Sequence, residues 1–208
     1  MPLDTIEPVT LKNGKTVLVL MATLAEYLEN LKVLVSPTII GVGPVESAAN
    51  TALALSKLTA TPDYVLLIGS SGSATLVQGA VYQATSVSYR DMDASVLGFE
   101  KGCTPFVDQP AVIALEPRIT SLEGASLDSG ANIVLTEDFQ DLEAQMVDME
   151  TFAVKRVCQM FGVPLIALRG ISDGPEELKK YEDWTKLLPT VDKNLASAIE
   201  VTFSQLSK

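Results

Sequence analysis

Three carboxylates stand where the chain leaves apolar runs, and no histidine is present to share proton transfer with them. Glu26 lies just beyond the run 16–22 (TVLVLMA), Glu150 at the start of a helix read over 149–161, and Asp173 after the apolar run 163–168. Without imidazole, chemistry that needs an acid and a base near neutral pH must take both from carboxyl groups. A carboxylic acid donates a proton there only if burial or its neighbours raise its pKa. Singly, each residue has a plain structural reading. Glu26 and Glu150 suit a helix N-terminus as solvated residues, and Asp173 suits a helix N-cap. Together, at the exits of one sheet's connections, they point to a shared site, because ligands of open α/β sheets bind outside the carboxyl ends of the strands.

The elements that must position them alternate. Short apolar runs at 16–22, 36–40, 64–68, 79–88 and 163–168 read as buried strands, with weaker β candidates at 111–115 and 131–135. Helical spacing of apolar residues is found over 24–34, which carries Glu26 near its start, and over 45–58, 149–161, 176–187 and 192–206. Gly162 and Pro164 end the third of these. The stretch 94–109 is irregular and of lid-like length, 117–129 contains no readable element, and an acidic, weakly helical connection leads to Met146. This order predicts α/β class: one domain over 1–208 in three layers, with a twisted, mostly parallel (mixed) central sheet flanked by helices.

Composition narrows the function. A chain of 208 residues with 47% apolar residues supports a sizeable core. A formal charge of −11 argues against nucleic acid or an anionic membrane surface as partner, since both call for basic patches. No apolar run approaches the roughly 20 residues that span a bilayer, and the first residues lack a signal pattern, so a soluble cytoplasmic protein is expected. Cys103 and Cys158 make no disulfide framework, and no Cys/His cluster offers a metal site.

Two glycine turns precede helices or follow strands. Gly41-Val42-Gly43 lacks a third glycine, and Asp63 precedes its strand, so a dinucleotide site is disfavoured. Such a turn more simply lets backbone pass close to a ligand or a neighbouring loop. Gly69-Ser70-Ser71-Gly72 offers amides and hydroxyls that suit an anion or a sugar, or else form only a tight turn; it holds no cation for a phosphate.

Val147-Asp148-Met149-Glu150, followed by Arg169-Gly170-Ile171-Ser172-Asp173, resembles the paired signature of the nucleoside phosphorylase and hydrolase superfamily. Within it, the 5′-methylthioadenosine/S-adenosylhomocysteine nucleosidases are the best match. Gly41-Val42-Gly43-Pro44-Val45-Glu46-Ser47, the serine–glycine segment and Tyr89-Arg90-Asp91-Met92-Asp93 agree in order, while roughly 109–129 looks shortened. The resemblance implies a nucleoside phosphorylase-like fold and hydrolysis of the N-glycosidic bond of 5′-methylthioadenosine and/or S-adenosylhomocysteine, giving adenine and a ribose derivative. It implies no metal or cofactor, a small-molecule adenine nucleoside as substrate, and a homodimer.

The resemblance also implies roles. Asp173 protonates the purine at N7, and Glu26 orients and deprotonates a water on the opposite face of the sugar, as in inverting glycosidases whose carboxyls stand about 6.5–9.5 Å apart. Ser172 is the candidate partner whose hydrogen bond raises the Asp173 pKa, whereas Arg169, if close, lowers it. Glu150 accepts hydrogen bonds from ribose hydroxyls, Met149 packs on the ribose, and Ser70 and Gly72 border the substrate. Ile133 stands where the family has a base-stacking aromatic, and Val134 offers backbone hydrogen bonds to the base edge. Phe99 and Pro105, with Leu97, Cys103 and Phe106, give an apolar surface for the 5′ group in a segment that crosses the dimer interface. Hexameric purine phosphorylases carry an arginine where this chain has Leu67, which favours water over phosphate as nucleophile. The alternatives are a phosphorylase, a nucleosidase for another nucleoside such as aminofutalosine or inosine, or a non-catalytic nucleoside-binding homologue.

Overall fold

The apolar runs are continuous because both faces of the strands they form are covered. A computed structural model describes residues 6–174 and 181–208. Strand β1 (Val9–Thr10) pairs antiparallel with β2 (Thr16–Met21), which lies parallel to β3 (Thr38–Ile39) and β4 (Tyr64–Gly72). Strand β4 continues parallel to β9 (Leu165–Asp173), and β9 runs antiparallel to β5 (Val81–Tyr89). On β5 lie β6 (Val112–Ala114), antiparallel, and β7 (Gly124–Ser129), parallel. Finally β8 (Met146–Asp148) pairs with β7 and returns to β4 where Gly72 faces Val147. Pairing therefore runs round a closed circuit, β4–β9–β5–β7–β8–β4, helped by a register shift at Ser71/Gly72 that bends the strand.

Period-two alternation sorts the central side chains into two cores. Leu18, Leu20, Val65, Leu67, Leu165 and Ala167 meet helices α2 (Pro44–Lys57) and α3 (Thr151–Phe161) on one face. Val19, Met21, Leu66, Ile68, Ile166 and Leu168 meet α1 (Glu29–Lys32) and α5 (Leu188–Leu206) on the other. Three layers with a mixed central sheet result, as the sequence predicts. Among the described residues no helix is long and apolar enough to cross a membrane.

Several local expectations are corrected. Residues 24–34 do not form one helix: a 3-10 turn, Leu24–Glu26, precedes the short α1, whose backbone N–H groups at Leu28, Asn30 and Leu31 are taken by Asp192 of α5. Residues 69–72 are not a loop, because β4 extends through them to keep pairing with β9. Residues 131–135 are not a strand. The strand lies earlier, at β7, where only Ala125 and Leu127 are apolar and inward-facing amid Gly124, Ser126, Asp128 and Ser129. Of the helix read over 176–187, residues 176–180 lie outside the described residues; α4 covers Tyr181–Thr185, and α5 begins at Leu188 with a proline in its first turn rather than at Asp192.

Candidate active site

The exits of β2, β4, β8 and β9 converge on a cavity of about 630 Å³. Its walls include Glu26, Ser70, Gly72, Ile133, Val134, Met149, Glu150 and Asp173. Eight of the residues singled out in the sequence are thus brought together. Three others are not: Ser172, Phe99 and Pro105 do not line it.

Glu26 is delivered by the 3-10 turn that follows β2, which Thr23 caps by accepting from the Ala25 N–H at 3.2 Å. Its Oε1 accepts the Ser70 backbone N–H at 3.0 Å and the Ser70 hydroxyl as well. The second oxygen, Oε2, is buried and accepts no hydrogen bond from any described residue. Burial raises the Glu26 pKa; the Ser70 bonds and the nearby Arg169 charge oppose that, and Asp148 adds to it.

Arg169, in the middle of β9, is almost wholly buried. Its Nη2 pairs with Asp148, donates to the Thr151 hydroxyl at 2.8 Å, and lies 3.9 Å from Glu150 Oε2. Asp148 in turn accepts the Thr151 N–H at 3.1 Å, which ties β8 to the first turn of α3. Gly69 makes the arrangement possible. A Cβ there would stand 2.6 Å from Arg169 Nη1 and 2.9 Å from Glu26 Oε2, so the guanidinium and the carboxylate approach each other across a strand that only glycine leaves open. The other glycine turn serves Glu150. Gly43, at φ +87, donates its N–H to Glu150 Oε1 at 2.9 Å, the close backbone approach expected of that turn. Burial, with the Asp148 charge adding, pushes the Glu150 pKa up to about 7 against the pull of Arg169.

Asp173 ends β9. Burial raises its pKa, and here Ser172 acts opposite to expectation. The Ser172 hydroxyl donates to Asp173 Oδ1 at 2.5 Å, which favours the carboxylate and lowers the pKa. Ser172 itself is buried behind the cavity wall. Arg169 does not pull on Asp173, because its charge is committed to Asp148, Glu150 and Glu26 deeper in the sheet.

Ile133 and Val134 lie on the segment after β7. Arg90 braces it by donating to the Asn132 carbonyl at 2.8 Å, and the Asp91 carboxylate accepts the Ala131 N–H. Val134 is buried and Ile133 is 61% exposed at the cavity mouth. Phe99 and Pro105 do not reach this cavity within one copy of the chain. They belong to the segment after β5, which folds back on itself through a Gly102 N–H to Met92 carbonyl bond and meets α3 through Gln109 and Gln159. Phe99 packs edge-to-face on Phe106 at 5.4 Å between ring centres. Phe106, Val96 and Leu97 are turned outward and mostly exposed.

The sequence reading missed four wall or support residues. Asp148 and Arg169 look like ordinary members of the two motifs, and only the apolar strand around Arg169 hints that its charge is buried. Tyr181 and Trp184 of α4 close another side of the cavity, ring centres 5.4 Å apart. Trp184 Nε1 donates to Ser70 Oγ at 3.1 Å.

Residues 118–203 match the family model described as the phosphorylase superfamily. The chain is 31% identical over 156 residues to the 5′-methylthioadenosine/S-adenosylhomocysteine nucleosidase of Bacillus pumilus, an overlap of 64% of this chain and 65% of that protein's length. It superposes with a TM-score of 0.76 on the Neisseria meningitidis nucleosidase of the same name in complex with methylthio-immucillin-A, at 22% identity over 90% of this chain and 98% of that one. With futalosine hydrolase of Helicobacter pylori the TM-score is also 0.76, at 19% identity over 91% and 97%. At these identities the structural likenesses show the fold.

Proposed function

We propose that this chain is a member of the phosphorylase superfamily and an N-ribosyl hydrolase that cleaves 5′-methylthioadenosine and/or S-adenosylhomocysteine to adenine and a ribose derivative. One observation carries the reading: two carboxyls whose pKa values burial raises, Glu26 and Asp173, border the same cavity. Cleavage of an N-glycosidic bond builds positive charge on the ribose and negative charge on the departing base. Asp173 delivers its proton to N7 of the purine. The Glu26 carboxylate takes a proton from water, and the water oxygen bonds to the anomeric carbon as the glycosidic bond breaks. Glu150 accepts from the ribose hydroxyls, Met149 covers the sugar, Ile133 lies over the base and Val134 offers its backbone to the base edge.

Water is favoured over phosphate. Among the described residues of the wall there is no lysine or arginine, Leu67 is buried in the core where a phosphorylase arginine would stand, and the one cation beneath the wall, Arg169, is already paired with carboxylates. Glu26 would repel a dianion. A second copy of the chain, packed on Val96, Leu97 and Phe106, would bring Phe99 and Pro105 towards its neighbour's 5′ subsite, which makes the working unit a homodimer. We place the enzyme in the cytoplasm, where its unpaired Cys103 and Cys158 stay reduced. A second substrate reading, another nucleoside such as aminofutalosine or inosine, rests on Ile133 replacing an aromatic ring at the base. The deciding experiment incubates the protein with 5′-methylthioadenosine in phosphate-free buffer. Free adenine at a rate unchanged by added phosphate is expected; strict phosphate dependence overturns the hydrolytic reading, and release from other nucleosides alone overturns the substrate.

A further inference from the structure

We propose that Trp184 is a positioning residue for the base Glu26, acting through the Ser70 hydroxyl; this rests on the hydrolytic reading above. The indole Nε1–H stands 3.1 Å from Ser70 Oγ, and Ser70 Oγ is bonded in turn to Glu26 Oε1. Donor and acceptor chemistry gives this chain of three groups one direction. Indole nitrogen only donates, a hydroxyl has a single hydrogen, and an ionised carboxylate only accepts. With Trp184 donating to its oxygen, Ser70 turns its own hydrogen onto Glu26. Oε1 then takes two bonds from Ser70, its N–H at 3.0 Å and its O–H.

The indole therefore acts on Glu26 through its charge state, favouring the ionised form that a base requires. That effect opposes the surroundings. Glu26 is buried, with the acidic Asp148 on β8 and Glu150 at the start of α3 on one side, and the opposing charge of Arg169 on β9. Without the indole, the Ser70 hydroxyl is free to turn and accept a hydrogen from a protonated Glu26, so the neutral, inactive form gains ground. Nothing in the helical periodicity of 176–187 sets Trp184 apart from a surface aromatic.

The test is a double-variant cycle read in the pH dependence of kcat/KM for adenine release, on the full chain. Trp184→Phe keeps an aromatic ring in the wall and removes the N–H, together with the extra bulk of the bicyclic indole. It is expected to move the ascending, acidic limb upward by roughly half to one pH unit. In a Ser70→Ala background the same substitution should leave that limb where Ser70→Ala alone puts it, because the connecting hydroxyl is gone. A change in KM with an unmoved acidic limb makes Trp184 a wall residue only and overturns the proposal. So does an equal shift in both backgrounds. Absence of adenine release by the unsubstituted protein would instead count against the hydrolytic reading itself.

Discussion

Asn30 gives Asp192 two hydrogen bonds, from its backbone N–H and its side-chain amide, each 2.8 Å from Oδ2. The other oxygen of Asp192 accepts the N–H groups of Leu28 and Leu31, so α5 on one side of the sheet holds the chain just beyond Glu26. Removing the carboxylate strands those donors in a buried place. Asp192→Ala should cost about 3 kcal/mol, or roughly 6–12 °C in Tm. It should also lower kcat more than it raises KM, because the turn bearing the base loosens while the rest of the cavity stays. A thermal melt and steady-state kinetics below the new Tm check both parts; unchanged kcat would detach Asp192 from the site.

The Ser172 hydroxyl favours ionised Asp173, while burial favours the protonated acid that the reaction consumes. Ser172→Ala removes only the first influence. The descending, alkaline limb of kcat/KM, where the acid is lost, should move upward by roughly half to one unit. Activity at alkaline pH, relative to the optimum, should increase. A downward move would show that the Ser172 bond supports the protonated form.

Glu150 is held at about 7 in the folded chain, against an ordinary 4.5. Between these values the unfolded chain gives up the proton and the folded one keeps it, so stability falls as pH rises through that window and stays reduced above it. Glu150→Gln retains an acceptor for the Gly43 N–H and carries no charge. It should be more stable than the natural chain at pH 8, by roughly 1–3 kcal/mol, with the gain fading towards pH 4.5. Turnover should collapse, since an amide is the poorer acceptor for ribose hydroxyls. Chemical denaturation at several pH values tests the sign; a gain that is independent of pH would contradict it.

Val96 and Phe106 are 91% and 96% exposed on the segment after β5. If a second copy covers them, Val96→Glu and Phe106→Glu should halve the mass seen by light scattering. Activity towards 5′-methylthioadenosine should fall with it as Phe99 and Pro105 are withdrawn. A monomeric natural chain with full activity would remove the dimer from the proposal.

What the sequence showed depended on whether a local pattern carried the information. Strands β2, β4 and β9 were legible because they are apolar on both faces, and the positions of Glu26 and Asp173 followed from where those runs end. Strand β7 was not, since Gly124, Ser126, Asp128 and Ser129 leave just two inward apolar side chains. The pairing of Asp148 with Arg169 joins positions in different strands and has no spacing signature. The sense of the Ser172 bond depends on which atom donates, a matter of geometry. Trp184 gave no signal because its partner, Ser70, is remote in sequence.

The strand circuit bears on how this protein must fail. Ser70 lies on β4 and Asp173 on β9, neighbours in a loop of pairings that has no seam to open by itself. Urea should therefore abolish catalysis and β-structure along one shared curve, with no window in which a folded but crippled enzyme survives.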